Sequence, residues 1–135
     1  MIACDTDVLV RLLVGDDASQ TALAQRLFAQ ATVDEPVFIS TIVLVETWWV
    51  TTRSYGIAPE RVADSFDGLC SASDTRIEAR ESVLTALRAV RSGADFADAL
   101  IAETATKAGS TDTLTFDHGA ANRAGMTSLD ESYFD

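Results

Sequence analysis

The chain has 135 residues, 47% hydrophobic and 7% aromatic, with few prolines or glycines. That is one domain's worth of chain, able to bury a core, and its composition argues against disorder. A formal charge of −11 argues against a nucleic-acid binder, because phosphate binding rests on a basic surface, and better suits a protein that holds cations or pairs with a basic partner. No apolar run approaches the roughly 18 residues that span a bilayer, and the N-terminus lacks a basic segment followed by an apolar one, so neither a membrane span nor a signal peptide is expected. Cys4, at the end of an expected buried strand, and Cys70, near a helix end, read as structural thiols in a reducing compartment, which implies a cytoplasmic protein.

Residues 2–4 form a short apolar run that ends at Asp5. Val8, Leu9, Leu12 and Leu13 then mark one face of a first helix, so Asp5 falls at the carboxyl end of a strand, the edge where open α/β sheets bind ligands. Gly15-Asp16-Asp17 supplies a stop and a new cap, and Ala24, Leu27, Phe28 and Ala31 follow helical spacing. Pro36 introduces a strand, Val37-Phe38-Ile39, closed by Ser40-Thr41 as the cap of a third helix that runs to about Arg53. Tyr55-Gly56 ends that helix. Pro59-Glu60 opens a fourth, carrying Val62, Phe66 and Leu69. A weak strand is expected over Thr75–Ala79. A fifth helix carries Val83, Leu84, Leu87 and Val90 and stops at Ser92-Gly93; a sixth runs from Asp95 to Ala108. Thr111–Phe116 reads as a strand, followed by Asp117, a short helix, and a last strand near Met126–Leu129. Strands alternating with helices imply a mostly parallel central sheet of four or five strands, flanked by helices on both sides. With no repeat, low-complexity tract or linker, residues 1–135 are expected to form one α/β domain.

Several acids stand where a helix should be apolar. The helical neighbours of Glu46 are Ile42, Val43, Trp49 and Val50, so Glu46 is expected to point towards the core or its rim. An unpaired charge is costly there; pairing with Arg53 or Arg11 is the plain structural alternative. Asp98 is in register with Ile101, Ala102 and Ala105, on the face expected to pack on the sheet. It also suits the helix dipole as a first-turn acid, and Asp95 suits an N-cap. Asp117 repeats the design of Asp5, an apolar run ending in an acid before helical sequence. Two strand-end and two helix carboxylates could meet at one sheet edge. Four such groups in one cleft cannot all stay ionised without a cation, because each raises the others' pKa. All-oxygen ligands without clustered His or Cys select Mg²⁺ or Mn²⁺ over zinc, and the chemistry implied is phosphodiester hydrolysis.

The pieces Cys4-Asp5-Thr6-Asp7-Val8-Leu9-Val10-Arg11, Ser40–Trp48 with Glu46, Asp95-Phe96-Ala97-Asp98-Ala99-Leu100-Ile101-Ala102 and Thr115-Phe116-Asp117 resemble the PIN-domain ribonucleases, and within them the VapC-type toxins of toxin–antitoxin pairs. They occur in the family's order over nearly the whole chain. The resemblance implies a PIN-like fold and an Mg²⁺- or Mn²⁺-dependent endoribonuclease, usually a homodimer, silenced by a cognate antitoxin and acting on RNA with no membrane partner. It makes Asp5, Glu46, Asp98 and Asp117 the acidic quartet. Asp5 and Asp98 would be the main metal ligands, with Glu46 and Asp117 acting through water. Thr6 and Thr115 would be the hydroxyl-bearing neighbours that steady the site, with Asp7 and Asp95 also beside it. The chain departs from the family at Asp7, where Asn is usual; as a helix-start acid, Asp7 also has an ordinary explanation.

Arg76, Arg80, Arg88 and Arg91 form the densest basic stretch and could flank the cleft with Arg11 and Arg53, although solvated helix faces explain them equally. His118 reads as an exposed loop histidine, and Trp48 and Trp49 as core and contact residues. Asp5-Thr6-Asp7 also has the DxD spacing of a haloacid-dehalogenase-like phosphatase, with Asp5 as nucleophile, but that reading leaves Glu46 and Asp98 without roles. A receiver-like signalling module would share the acidic pocket but lacks a lysine at a late strand end. An RNA-binding module that does not cut is the third alternative.

Overall fold

Short strands and well-capped helices build the chain. A computed structural model describes residues 1–135 and divides them into two compact units, Met1–Arg80 and Glu81–Asp135. In the first, β1 (Ile2–Ala3) runs parallel to β2 (Val37–Ile39), and β2 parallel to β3 (Thr75–Ile77), with Ile2 opposite Val37 and Val37 opposite Thr75. Helices α1 (Thr6–Val14) and α2 (Ala18–Gln30) connect β1 to β2; α3 (Thr41–Trp49) and α4 (Pro59–Ser71) connect β2 to β3. The second unit carries α5, which begins at the unit boundary (Arg80–Arg91), α6 (Phe96–Lys107), β4 (Leu114–Thr115), α7 (His118–Arg123), β5 (Thr127–Ser128) and a closing 3-10 turn at Glu131–Phe134. There β4 and β5 pair in parallel.

The five expected strands are present and every pairing is parallel, as the α/β reading requires. Their hydrogen bonds fall into a set of three and a set of two, where one sheet of four or five strands was expected. Three of the five strands are only two residues long, so each offers very few ladder groups. The expected strand at Thr111–Phe116 shrinks to Leu114–Thr115 because β5 is no longer. The amides of Thr127 and Leu129 bond the carbonyls of Thr113 and Thr115, both at 2.8 Å, and complete that ladder. The terminal 3-10 turn was not foreseen; Asp130 caps it by accepting the Ser132 amide at 2.9 Å.

The helix ends follow the residues that mark them. Gly15 closes α1 in the left-handed conformation, φ 72°, with its amide on the Arg11 carbonyl, a geometry that a Cβ makes costly. Asp17 caps α2, Ser40 caps α3, and Pro59 stands in the first turn of α4. The third helix was expected to run unbroken to about Arg53. Instead it passes into a π-helical turn over Val50–Ser54. The reason is local: the buried Thr51 hydroxyl donates to the carbonyls of Thr47 (2.7 Å) and Trp48 (3.2 Å), and that of Thr52 to Trp48 (2.6 Å). Hydroxyls that claim backbone carbonyls compete with the regular helical ladder.

Leu9, Val37, Ile39, Leu44, Trp48, Val62 and Phe66 form the apolar interior of the first unit, with the Trp48 and Phe66 rings tilted at 6.2 Å between centroids. Alanines contribute much of the second unit's interior, among Val83, Leu87, Val90, Phe96 and Leu100. Both cysteines are buried and free. Burial, and then the neighbouring charge of Asp5, pushes the Cys4 thiol up to about 11, which keeps it protonated and unreactive at neutral pH.

The start of α3 is capped twice. The Ser40 hydroxyl accepts the Val43 amide at 3.2 Å, and Glu78, just past β3, accepts the amide and the hydroxyl of Thr41, both at 2.9 Å. Those bonds, the amide's first, hold the Glu78 carboxyl below its ordinary value of 4.5. Since the folded pKa is the lower one, this contribution is complete above 4.5 and fades as the pH falls through the folded value. Glu78→Ala is therefore expected to cost about 1 kcal/mol near neutral pH, the usual worth of a cap. Thermal melts should show the gap between wild type and variant closing under acid; a gap that stays constant into acid would contradict this origin.

Candidate active site

Asp5 and Glu46 come together through the parallel pairing of β1 and β2. Each strand hands over to a helix at its carboxyl edge, β1 at Asp5 and β2 at Ser40, so α1 and α3 rise from neighbouring strand ends. Asp5 is the N-cap of α1, its Oδ1 accepting the Val8 amide at 3.1 Å. The next residue, Thr6, donates its hydroxyl to Glu46 Oε1 at 3.0 Å, across forty positions of sequence. Asp5 Oδ2 and Glu46 Oε2 take no hydrogen bond from the chain. The result is two exposed carboxylates linked through Thr6, the residue after Asp5, each fixed through one oxygen and open at the other.

Glu46 does not sit where its neighbours suggested. Ile42 is 70% exposed and Trp49 41% exposed, so the stripe that holds Glu46 is the outward face of α3. Leu44, Thr47 and Trp48 form the inward one. The helix is apolar almost all round, so its pattern could not tell which side faces the core. Neither arginine proposed as its partner is paired with Glu46. Arg11 donates to Gln20 Oε1 (2.7 Å), Asp16 (3.3 Å) and the Tyr55 hydroxyl (3.4 Å). Arg53 lies over the Trp49 ring, 5.5 Å from its centroid. The Tyr55 hydroxyl in turn donates to Asp16 at 2.6 Å, which with the charge of Arg11 holds the Asp16 carboxyl below its usual range. Asp7, in the first turn of α1, is exposed and makes no hydrogen bond within the chain; with Asp5 it borders a cleft between α1 and α2.

In the second unit, Asp95 caps α6 by accepting the Asp98 amide at 3.1 Å. Asp98 is half-buried, but Ile101 on the same stripe is 54% exposed. The buried face of α6 runs instead through Phe96, Ala97, Ala99 and Leu100. The expectation of an inward Ile101 stripe fails for the same reason as on α3: small apolar residues surround the helix. Asp117 is an exposed N-cap of α7, its Oδ1 accepting the amides of Gly119 (2.7 Å) and Ala120 (3.4 Å). Its own amide donates to Thr115 Oγ1 at 3.0 Å, so Thr115 fixes the backbone at Asp117 as Thr6 fixes Glu46. His118 is exposed at the start of α7.

The basic stretch is partly occupied with the chain itself. Arg80 Nε donates to the Cys70 carbonyl at 2.8 Å and Arg88 to the Thr85 hydroxyl at 3.0 Å, while Arg76 is exposed on β3. Glu78 was missed by sequence reading; its position directly after the apolar end of β3, the same signal that marked Asp5, could have found it.

Within neither unit do three or more His, Cys, Asp or Glu side chains gather closely enough to cage a metal ion. The donors present in the first unit are carboxylate and hydroxyl oxygens. That set fits a hard cation that keeps most of its waters and takes one or two carboxylates, the habit of Mg²⁺; it does not fit zinc.

The PIN domain family model matches residues 2–126. This chain belongs to the PIN-domain family. Membership accounts for the α/β order of elements and the parallel strand pairing. Among solved structures, the chain is similar to VapC20 of Mycobacterium tuberculosis, described as a Sarcin-Ricin loop cleaving toxin, at 25% identity over 94% of this chain and 97% of that one, with a TM-score of 0.46. No curated protein gives a significant match. No helix of this PIN-domain chain is long and apolar enough to cross a membrane.

Proposed function

We propose that the chain is a divalent-cation-dependent endoribonuclease, using Mg²⁺ or Mn²⁺, and the toxin of a toxin–antitoxin pair. In this reading it is a cytoplasmic homodimer, one nuclease domain over residues 1–135, kept silent by a cognate antitoxin. The observation that carries the reading is the bond from Thr6 to Glu46, which ties that glutamate to the residue after Asp5 at the strand-end edge of a PIN-family chain. Motif resemblance adds the toxin role and its partners. Family membership leaves the phosphatase and receiver alternatives without support.

A bound divalent cation supplies an acidified water and neutralises charge on the phosphate. The chain's own residues do the rest. Asp5, fixed by its cap bond, offers Oδ2 as a ligand. Glu46, oriented by the Thr6 hydroxyl, offers Oε2 to hold and deprotonate an attacking water. Asp98 is assigned a ligand role and Asp117 a water-mediated one by their motifs, with Asp95 and Thr115 fixing the backbone around them.

Cleavage of structured RNAs by wild type and Asp98→Asn, in Mg²⁺, in Mn²⁺ and in chelator, tests this. Wild type is expected to cut with either cation and not in chelator, and Asp98→Asn to be roughly 100-fold slower. Equal rates for the two proteins would remove Asp98 from the mechanism. Cleavage undiminished by chelator would remove the cation.

A further inference from the structure

The cleft between α1 and α2 has a volume of about 460 Å³ and an apolar floor of Val8, Leu23, Ala24 and Leu27. Leu23 is 66% exposed, leaving a large uncovered surface on which a flat ring could lie. The rim is formed by Asp5, Asp7, Arg11 and Gln20, and its groups are sorted by hydrogen-bonding type. Gln20 Oε1 is taken by Arg11 Nε at 2.7 Å, so the side-chain NH₂ of Gln20 is the group left to donate. Arg11 is itself engaged with Asp16 and Tyr55, so it orients Gln20 and does not fill the cleft. Asp7, unbonded within the chain, is an acceptor with two oxygens side by side.

A matching occupant must be flat, must offer two adjacent N–H donors to Asp7, and must offer an acceptor to Gln20. Guanine does so along one edge, with N1–H and N2–H beside O6. Adenine turns the N1 acceptor towards a carboxylate, cytosine the N3 acceptor, and uracil has a single donor between two carbonyls. A guanidinium from a protein partner has donors alone and leaves the Gln20 amide unanswered, which is costly once water is excluded. An Asn in place of Asp7 would set an NH₂ where the carboxylate offers its second acceptor oxygen.

Asp5 borders this cleft and is followed by Thr6, which bonds Glu46, so a base seated on the floor leaves its phosphate near Asp5. We infer that the α1–α2 cleft is a guanine pocket that selects the nucleotide next to the cleaved bond, with Asp7 as its reading residue. The inference rests on the ribonuclease reading for its purpose, but binding can be tested without catalysis.

The test titrates the isotope-labelled full chain, in chelator, with guanosine, inosine and N-acetylarginine amide, following the backbone amides of α1 and α2 by NMR. Guanosine is expected to shift the cleft amides. Inosine, which lacks the 2-amino donor, should bind about tenfold more weakly, the lower end of what a bidentate base contact contributes. In Asp7→Asn that difference should disappear. Equal binding of guanosine and inosine by wild type, no cleft response to guanosine, or preferential filling by the arginine amide would each overturn the pocket, the last in favour of a basic protein segment. Mapping of RNA cuts supplies the second arm. Cuts without guanine preference overturn the pocket while the ribonuclease stands; guanosine binding by a chain that cuts no RNA supports the pocket and removes the ribonuclease.

Discussion

Asp5→Asn is expected to leave a folded chain that cuts RNA roughly 10²–10³-fold more slowly. The substitution separates the two tasks of this side chain. Through Oδ1, Asp5 caps α1 by accepting the Val8 amide at 3.1 Å. An asparagine carbonyl accepts the same bond, and Asn ranks with Asp among N-caps, so the melting temperature should barely move. Through Oδ2, Asp5 offers a negative oxygen at the strand-end edge, which an amide cannot replace. Asp5→Ala removes the cap as well and should cost about 1 kcal/mol of stability besides the activity. Rates on RNA, read beside circular-dichroism melts of all three proteins, check the argument. An asparagine variant that cuts at the wild-type rate would take Asp5 out of the chemistry.

Phe66→Ala is expected to cost about 3–5 kcal/mol, the largest single loss of stability proposed for this chain. Phe66 is 0% exposed, and its ring meets Trp48 at 6.2 Å between centroids and 53° between planes. Removing it opens a cavity where α4 faces the inward side of α3, which also carries Glu46 on its outward side. A loss of that size is a large share of the roughly 5–15 kcal/mol that a domain possesses. The urea midpoint should fall sharply while the slope of the transition stays the same. Phe66→Leu, which keeps most of the apolar volume, should lose much less. An alanine variant as stable as wild type would mean that the interior around Trp48 closes over the gap.

Elements whose signals are local were legible in the chain. Gly15 ends α1, Asp17 opens α2, β2 occupies Val37–Ile39, Ser40 caps α3 and Pro59 begins α4, as their residue types require. The helix ends depend on backbone geometry or on one side-chain bond within a few positions, and β2 is marked by its own run of strand-forming residues after Pro36. Features that depend on partners far along the chain were not. The expected strand around Leu114 kept two residues, because its length is set by what β5 offers. The π turn at Val50–Ser54 came from threonine hydroxyls taking carbonyls, an option that helical periodicity does not register.

For the candidate site, sequence alone determined that Asp5 and Asp117 follow strands and that Asp95 caps a helix; the structure makes N-caps of all three. Tertiary structure decided which way the helix faces turn. Glu46 lies on the exposed side of α3, and its partner is the hydroxyl of Thr6 and not an arginine. The physical reason is that an N-cap is satisfied within one helical turn, whereas the orientation of a helix that is apolar on every side is fixed only by the strand and helix it packs against.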